Sequence, residues 1–143
     1  MLNKLQKLRE ERAQGEDGFT LIELLVVVVI IGILIAIAIP LYLNYENGAK
    51  DKSTKSDIRN AITAAEQCIT DNNGAVAGIT GAQAGGAGTD LVLTCGTGNT
   101  ETAKASSGDT MTFSASSSGY VITGKNGDTG HQYTYTSATG TWS

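Results

Sequence analysis

The amino-acid sequence predicts an α+β protein in which one long N-terminal α-helix packs on a small antiparallel β-sheet of three or four strands. An uncharged, mostly apolar run extends from Leu24 to Tyr45, and a segment with helical periodicity follows it. After residue 75 the chain is rich in Gly, Ser and Thr, with short segments in which apolar and polar residues alternate. The first pattern is typical of a helix and the second of strands.

Composition limits the possible functions. The chain has 143 residues, 41% hydrophobic and 17% charged, with a formal net charge of −4. This length suits one modest domain plus an accessory segment. The negative balance disfavours nucleic-acid binding through a broad basic field, so nucleic acid is not an expected partner. One His and two Cys cannot supply the four ligands of a usual zinc site, and we expect no metal or cofactor.

The N-terminal half contains a predicted membrane helix. Residues 1–18 form a short leader in which basic and acidic side chains offset each other, and residues 19–45 form the apolar segment. At ~1.5 Å rise per residue, the uncharged run is long enough to cross a ~30 Å hydrocarbon core. An ordinary secretory signal loses its apolar stretch on cleavage, whereas here the charged leader ends at Gly18, before that stretch begins.

Residues 46–74 predict an amphipathic continuation of the same helix. Its apolar positions recur at spacings of three and four: Ile58, Ala61, Ile62, Ala65, Cys68 and Ile69. Asn73-Gly74 is a plausible stop signal. We therefore expect one helix with a kink at Pro40, its first half in lipid and its second half packed on the following domain.

Residues 75–143 predict a globular β domain. Residues 78–89 form a Gly/Ala-rich loop, and residues 125–130 are typical of a hairpin turn. Short strands are predicted over 89–95, 110–116, 119–123 and 132–136.

Glu23 is the only charge between Gly18 and Tyr45. A carboxylate at mid-bilayer costs a few kcal/mol even on lenient insertion scales, so such a residue usually has a partner. The simpler alternative is that Glu23 lies near the interface and reaches water.

The neighbouring residues favour a partner. The run Gly18-Phe19-Thr20-Leu21-Ile22-Glu23 before an apolar helix resembles the class III signal of type IV prepilins and related pseudopilins. Gly32 within the helix and Pro40 near its apolar end extend the resemblance, which covers the chain from the leader to about residue 74.

The resemblance implies processing and assembly. A membrane peptidase would cut between Gly18 and Phe19 and methylate the new amino group of Phe19. The Glu23 carboxylate would then meet that amino group on a neighbouring subunit and set its register. Gly32 and Pro40 correspond to positions around which family helices unwind in the filament, and a static kink is the alternative.

The partners implied by this family are identical subunits in a helical homopolymer, the prepilin peptidase, an assembly platform protein and a motor ATPase. Inner-membrane lipid would surround the helix before assembly. The implied location is the cytoplasmic (inner) membrane with the N-terminus inside, then an extracellular filament. The distribution of basic residues does not itself decide the orientation.

Cys68 and Cys95 suggest one disulfide, because an exported domain of this size gains roughly 3–4 kcal/mol from such a link. Two buried free thiols are the alternative. The clusters 71–74 and 126–128 could offer oxygen ligands to calcium, but neither has the spacing of an EF-hand and turn formation explains both. His131 is expected to be a surface residue.

The sequence therefore indicates a structural subunit, with a major pilin of a type IV pilus as the leading interpretation. A pseudopilin of a type II secretion or DNA-uptake machine is the alternative within the family. A membrane-anchored binding domain that never polymerises is the alternative from another class. No nucleophile–base pair is legible after residue 75, so we do not expect an enzyme.

Overall fold

The computed structural model describes residues 19–83, 87–96 and 98–143. The leader, including Gly18 on one side of the expected cleavage point, lies outside the described residues.

The described chain forms one helix and seven strands in two antiparallel sheets. The helix is α1 (Leu21–Asp71). The first sheet contains β1 (Thr80–Gln83), β2 (Leu91–Thr94) and β3 (Thr100–Ala103). The second sheet contains β4 (Thr110–Ser116), β5 (Gly119–Lys125), β6 (Gln132–Thr136) and β7 (Thr141–Trp142).

The chain divides into two compact units, Met1–Tyr42 and Leu43–Ser143, and α1 contributes residues to both. Within the first unit, every described residue from Phe19 to Tyr42 is exposed. The helix continues through Pro40, which has no backbone N–H to donate. In the second unit the helix has a buried face: Thr54, Asp57, Ile58, Ala61, Ala64, Ala65 and Cys68.

The end of α1 lies where the sequence predicted it. Asn73 adopts a left-handed backbone conformation with φ of 55°, which Asn tolerates better than most residues. The N–H of Gly74 donates to the carbonyl of Ile69 at 2.8 Å, and the N–H of Asn72 donates to that of Cys68 at 3.0 Å. This is the hydrogen-bond pattern of a helix C-cap, and it closes carbonyls that would otherwise lack donors.

Both sheets are simple meanders of sequential antiparallel strands. In the first sheet Gly81 pairs with Leu93, and Leu93 pairs with Glu101 on the other side. In the second sheet β5 is central, with Ile122 paired to both Phe113 and Tyr135. The α+β class and the antiparallel pairing are confirmed, but there are two sheets rather than the single one expected.

The three strands absent from the expectation are β1, β3 and β7. β1 lies in the Gly/Ala-rich segment taken as a loop, where intrinsic strand propensity is low. Its formation depends on tertiary partners: the Gln83 side chain accepts from the N–H of Met111 at 2.7 Å and donates to the carbonyl of Thr89 at 2.7 Å. Gly81 permits this packing, because a Cβ there would lie 2.6 Å from both Leu93 and Phe113 side-chain atoms.

The core of the second unit lies between the buried face of α1 and both sheets. Ile58, Leu91, Leu93 and Ile122 are fully buried there. Gly124 marks the closest approach of helix and sheet, since a Cβ there would lie 2.8 Å from Ile58 Cγ1. A disulfide joins Cys68 of α1 to Cys95 after β2, with 5.1 Å between their Cα atoms. The disulfide interpretation is confirmed over the free-thiol alternative.

Candidate functional site

The residues of the expected processing and assembly site lie at the start of α1. Phe19 precedes the helix, Thr20 occupies its N-cap position and Glu23 lies in its first turn. Both Phe19 and Glu23 are exposed. The cleavage partner Gly18 falls outside the described residues, so the geometry of the Gly18–Phe19 bond is not part of this site.

Thr20 and Glu23 form a reciprocal cap. Glu23 Oε2 accepts from the Thr20 backbone N–H at 2.8 Å and from the Thr20 hydroxyl at 2.7 Å. The Glu23 N–H donates in turn to Thr20 Oγ1 at 3.3 Å. This capping box satisfies two of the backbone donors that the start of a helix leaves unpaired.

The capping role of Thr20 is missing from the sequence expectation, although its signal is present. The spacing Thr-x-x-Glu immediately before an apolar run is the sequence signature of a capping box. The structure also shows that only one oxygen of Glu23 is used. Oε1 makes no hydrogen bond to the part of the chain that the structure describes, and it is available to a donor from outside.

No other part of the described chain covers the apolar segment that follows. Its most hydrophobic stretch has a mean hydropathy of 3.4 and none of it is buried. By length and composition α1 could cross a membrane. Ile22, Leu34 and Ile37 expose 66%, 61% and 64% of their surface, and a Cβ built on Gly32 meets nothing within 4 Å. This surface needs a non-aqueous environment.

In the second unit, polar contacts link α1 to the turn between β5 and β6. Asp51 Oδ1 accepts from the Thr129 hydroxyl at 2.6 Å, and Asp51 Oδ2 lies 2.6 Å from His131 Nδ1. Burial raises the pKa of Asp51, but the hydrogen bonds from Thr129 and His131 outweigh it and keep this pKa below its usual value. His131 is exposed, as expected, and its ring contacts the helix.

The two clusters considered for calcium are occupied by turn hydrogen bonds. Asn72 Nδ2 donates to the carbonyls of Ala75 and Ala77 at 2.7 and 3.0 Å. Asn126 Oδ1 accepts from the N–H groups of Asp128 and Thr129 at 3.0 and 2.8 Å. These contacts match the turn interpretation of both clusters.

Comparison with known proteins identifies one family model and several similar proteins. Residues 14–39 match the family model for the prokaryotic N-terminal methylation motif. The chain is 50% identical over 56 residues to the type IV major fimbrial protein FimA of Dichelobacter nodosus, covering 39% of this chain and 36% of that protein. It is 43% identical over 67 residues to a fimbrial protein of Pseudomonas aeruginosa, covering 47% and 44%.

A third relative belongs to a different machine. The chain is 42% identical over 57 residues to the type II secretion system core protein G of Pseudomonas aeruginosa, covering 40% of each protein. The chain spans less than half the length of each of these three relatives. No solved structure matches the chain.

Proposed function

We propose that this chain is a member of the type IV pilin and pseudopilin superfamily and the major structural subunit of a type IV pilus, a proposal supported by the N-terminal methylation motif and the similarity to fimbrial proteins. The subunit is made as a precursor with the leader 1–18. It then polymerises through its apolar segment, with the β domain facing solvent. The observation that carries this proposal is the exposed apolar surface from Phe19 to Leu43.

That surface requires two successive environments. Before assembly, inner-membrane lipid covers it. After assembly, the same segment of other copies covers it, and the helices pack side by side in the filament core. Both environments remove apolar area from water, which is favourable by roughly 25 cal/mol per Å² of area buried. A membrane-anchored binding domain that never polymerises would need only the first of these environments, the lipid.

Processing creates a charge at the head of the helix. Hydrolysis of the Gly18–Phe19 bond by the prepilin peptidase frees the amino group of Phe19, and a methyl donor then replaces one of its hydrogens. The methylated amine stays cationic. A small residue at Gly18 lets the extended backbone enter the peptidase, and cutting there leaves the membrane anchor in place.

Glu23 is suited to bind that cation on a neighbouring subunit. Its Oε2 caps its own helix through Thr20, while Oε1 has no partner among the described residues. In the filament core an unpaired carboxylate is costly, and an opposite charge relieves this cost. A subunit out of register would leave one charge unpaired, so the pair specifies register.

Gly32 and Pro40 are proposed as the positions where α1 opens in the filament. Pro40 removes one backbone hydrogen bond, and Gly32 has the largest entropic preference for the unfolded chain. An assembly platform protein and a motor ATPase would extract the subunit from the membrane, with its N-terminus on the cytoplasmic side.

A second candidate function is that of a pseudopilin in a type II secretion machine, favoured by the similarity to core protein G. Such a subunit would share the processing and the helix packing. It would differ in serving a secretion machine rather than forming long surface filaments.

The test is mass spectrometry of the sheared cell-surface fraction. The proposal predicts an N-terminal peptide that begins at Phe19 and carries one added methyl group. The same peptide confined to the cell envelope would favour the pseudopilin. An intact Met1 leader, found only in membranes, would contradict both and favour an anchored binding domain.

Two matched variants separate the roles of Glu23. Glu23→Gln retains an oxygen acceptor for the Thr20 cap but removes the charge. Thr20→Ala removes the hydroxyl part of the cap and retains the charge. We expect Glu23→Gln to reduce surface filaments at least tenfold and Thr20→Ala to reduce them much less. The reverse order would show that Glu23 acts only as a cap.

A further inference from the structure

A groove in the second unit combines cations with aromatic rings. We call it the cationic groove and define it by Lys55 and Arg59 of α1 together with Tyr133 of β6, Trp142 of β7 and the adjacent Ser143. Lys55 Nζ lies 4.3 Å from the Tyr133 ring centroid. Arg59 Cζ lies 5.8 Å from the Trp142 ring centroid, and Trp142 exposes 42% of its surface.

The two cations of the groove lack a carboxylate partner within the described chain. Two other basic residues of the same unit do have one: Lys50 lies 2.9 Å from both Glu46 and Asp128, and Lys104 lies 2.7 Å from Asp90. Lys52 and Lys125 also form no ion pair with a described residue, but neither lines this groove. At an exposed site a cation–π contact stabilises the cation only weakly. The groove therefore presents positive charge next to an exposed apolar ring.

The other flank of α1 carries carboxylates that lack a cation partner. We call it the acidic flank and define it by Asp71 at the end of α1 and Glu101 of β3. Asp71 accepts from the Gln67 side chain at 3.2 Å, and neither carboxylate forms an ion pair with a described residue. Glu101 lines a shallow polar groove with Gln67 and with Lys104, whose ammonium is bound to Asp90.

Helix geometry separates the two surfaces. Successive residues turn by about 100° around the axis, so Arg59 lies about 40° from Lys55 whereas Asp71 lies about 160° away. The buried face of α1 lies between them, with the edge strand β7 beside the cationic groove and the edge strand β3 beside the acidic flank.

We infer that the cationic groove of one subunit binds the acidic flank of the next copy of this chain, an inference that rests on the proposed function. A head-to-tail contact joins two different patches, and repetition of that contact gives an open helical polymer. Two complementary charged patches on opposite flanks of one helix provide such a contact. Trp142 supplies apolar area at its centre, and the charges select the register of the globular domains.

The experiment is a charge-swap series in the full chain, scored by the mass of sheared surface filaments. One variant carries Lys55→Glu and Arg59→Glu, a second carries Asp71→Lys and Glu101→Lys, and a third combines all four. Lys125→Glu, an exposed change on β5 outside both surfaces, is the matched control. Envelope content and disulfide formation show that each variant folds.

We expect each double variant to lose at least tenfold in filament mass, the combination to recover most of it, and the control to equal the wild type. Double variants that assemble normally, or a combination that stays unassembled while folded, would overturn the inference. Normal assembly with lost binding to polygalacturonate would instead assign the groove to an acidic polysaccharide. Absence of filaments from the unaltered chain would contradict the proposed function and this inference with it.

Discussion

The two units of this chain satisfy their apolar residues in different ways. In residues 19–42 every side chain is exposed, although this is the most hydrophobic part of the sequence. In residues 43–143 the apolar side chains of α1 and both sheets close around a core held by a disulfide. The first unit depends on surroundings that it does not contain, whereas the second supplies its own. A substitution in the first unit should therefore be detected by an assay of assembly, and one in the second unit by an assay of folding stability.

The largest effect is expected from truncating a core side chain. Ile122 is fully buried, so Ile122→Ala should lower the free energy of unfolding of the β domain by about 2–5 kcal/mol. Urea unfolding of the detergent-solubilised chain, followed by near-ultraviolet circular dichroism, measures this loss. Ile35→Ala, at a residue 49% exposed in the first unit, is the matched control and should leave the transition unchanged. Equal losses of unfolding free energy in both variants would contradict the proposed difference between the two units.

Removal of the disulfide should come next. The bond closes a loop between residues 27 positions apart, and Cys68→Ala with Cys95→Ala should cost about 3 kcal/mol. The loss should appear in the same urea transition, and reduction of the wild-type chain should reproduce it. Helicity of the first unit should not change, because the bond lies wholly in the second. A wild-type chain indifferent to reductant would contradict the stabilising role of the bond.

A smaller and pH-dependent effect is expected at Tyr120, whose hydroxyl donates to Glu66 Oε1 at 2.5 Å. Burial and the Glu66 carboxylate raise the pKa of Tyr120 above its ordinary value of 10.0. As the pH rises, the Tyr120 phenol therefore ionises first in the unfolded chain. The contribution of this group to the free energy of unfolding is complete below pH 10 and falls as the pH rises above that value. Urea midpoints between pH 8 and pH 11 measure the fall. Tyr120→Phe should flatten it, and an unchanged slope in that variant would assign the fall to other groups.

The smallest effect concerns Asp57, a carboxylate on the buried face of α1. Burial raises its pKa above 3.8, and nearby Asp109 adds to the rise, although the Ser106 N–H donates to Asp57 at 2.6 Å. The folded state therefore favours the protonated form, and this contribution is lost as the pH rises through the folded pKa. Asp57→Asn should stabilise the domain near pH 7, and this gain should shrink toward pH 4. A gain in stability that persists at acid pH would indicate that altered packing, rather than the loss of the charge, causes it.

The sequence was sufficient for the helix because the signals for that element are local. Apolar periodicity and the stop at Asn73-Gly74 predicted the course and end of α1. The strands β4 and β6 were predicted at their observed bounds, since their alternation of apolar and polar residues is clear. Glu23 was identified by a physical pattern, the single charge in an apolar run, whereas the role of Phe19 was implied only by the family resemblance.

The remaining strands depend on tertiary contacts that no local pattern encodes. β1 is assembled from Gly and Ala by the Gln83 side chain and by close packing at Gly81. The Thr20–Glu23 cap has a local signal, the spacing Thr-x-x-Glu before an apolar run, although it was not among the predictions. The cationic groove could not be predicted, because it joins α1 to the last two strands.

In the proposed filament, other copies of this chain cover the apolar segment. A photo-crosslinking residue placed at Ile30, which is 51% exposed, tests this packing in the chain as the cell makes it. Irradiation of sheared surface filaments should yield a ladder of dimers and higher multimers linked through the first unit. Irradiation of the membrane fraction should yield mainly lipid adducts. Lipid adducts and monomers alone in both fractions would contradict this packing.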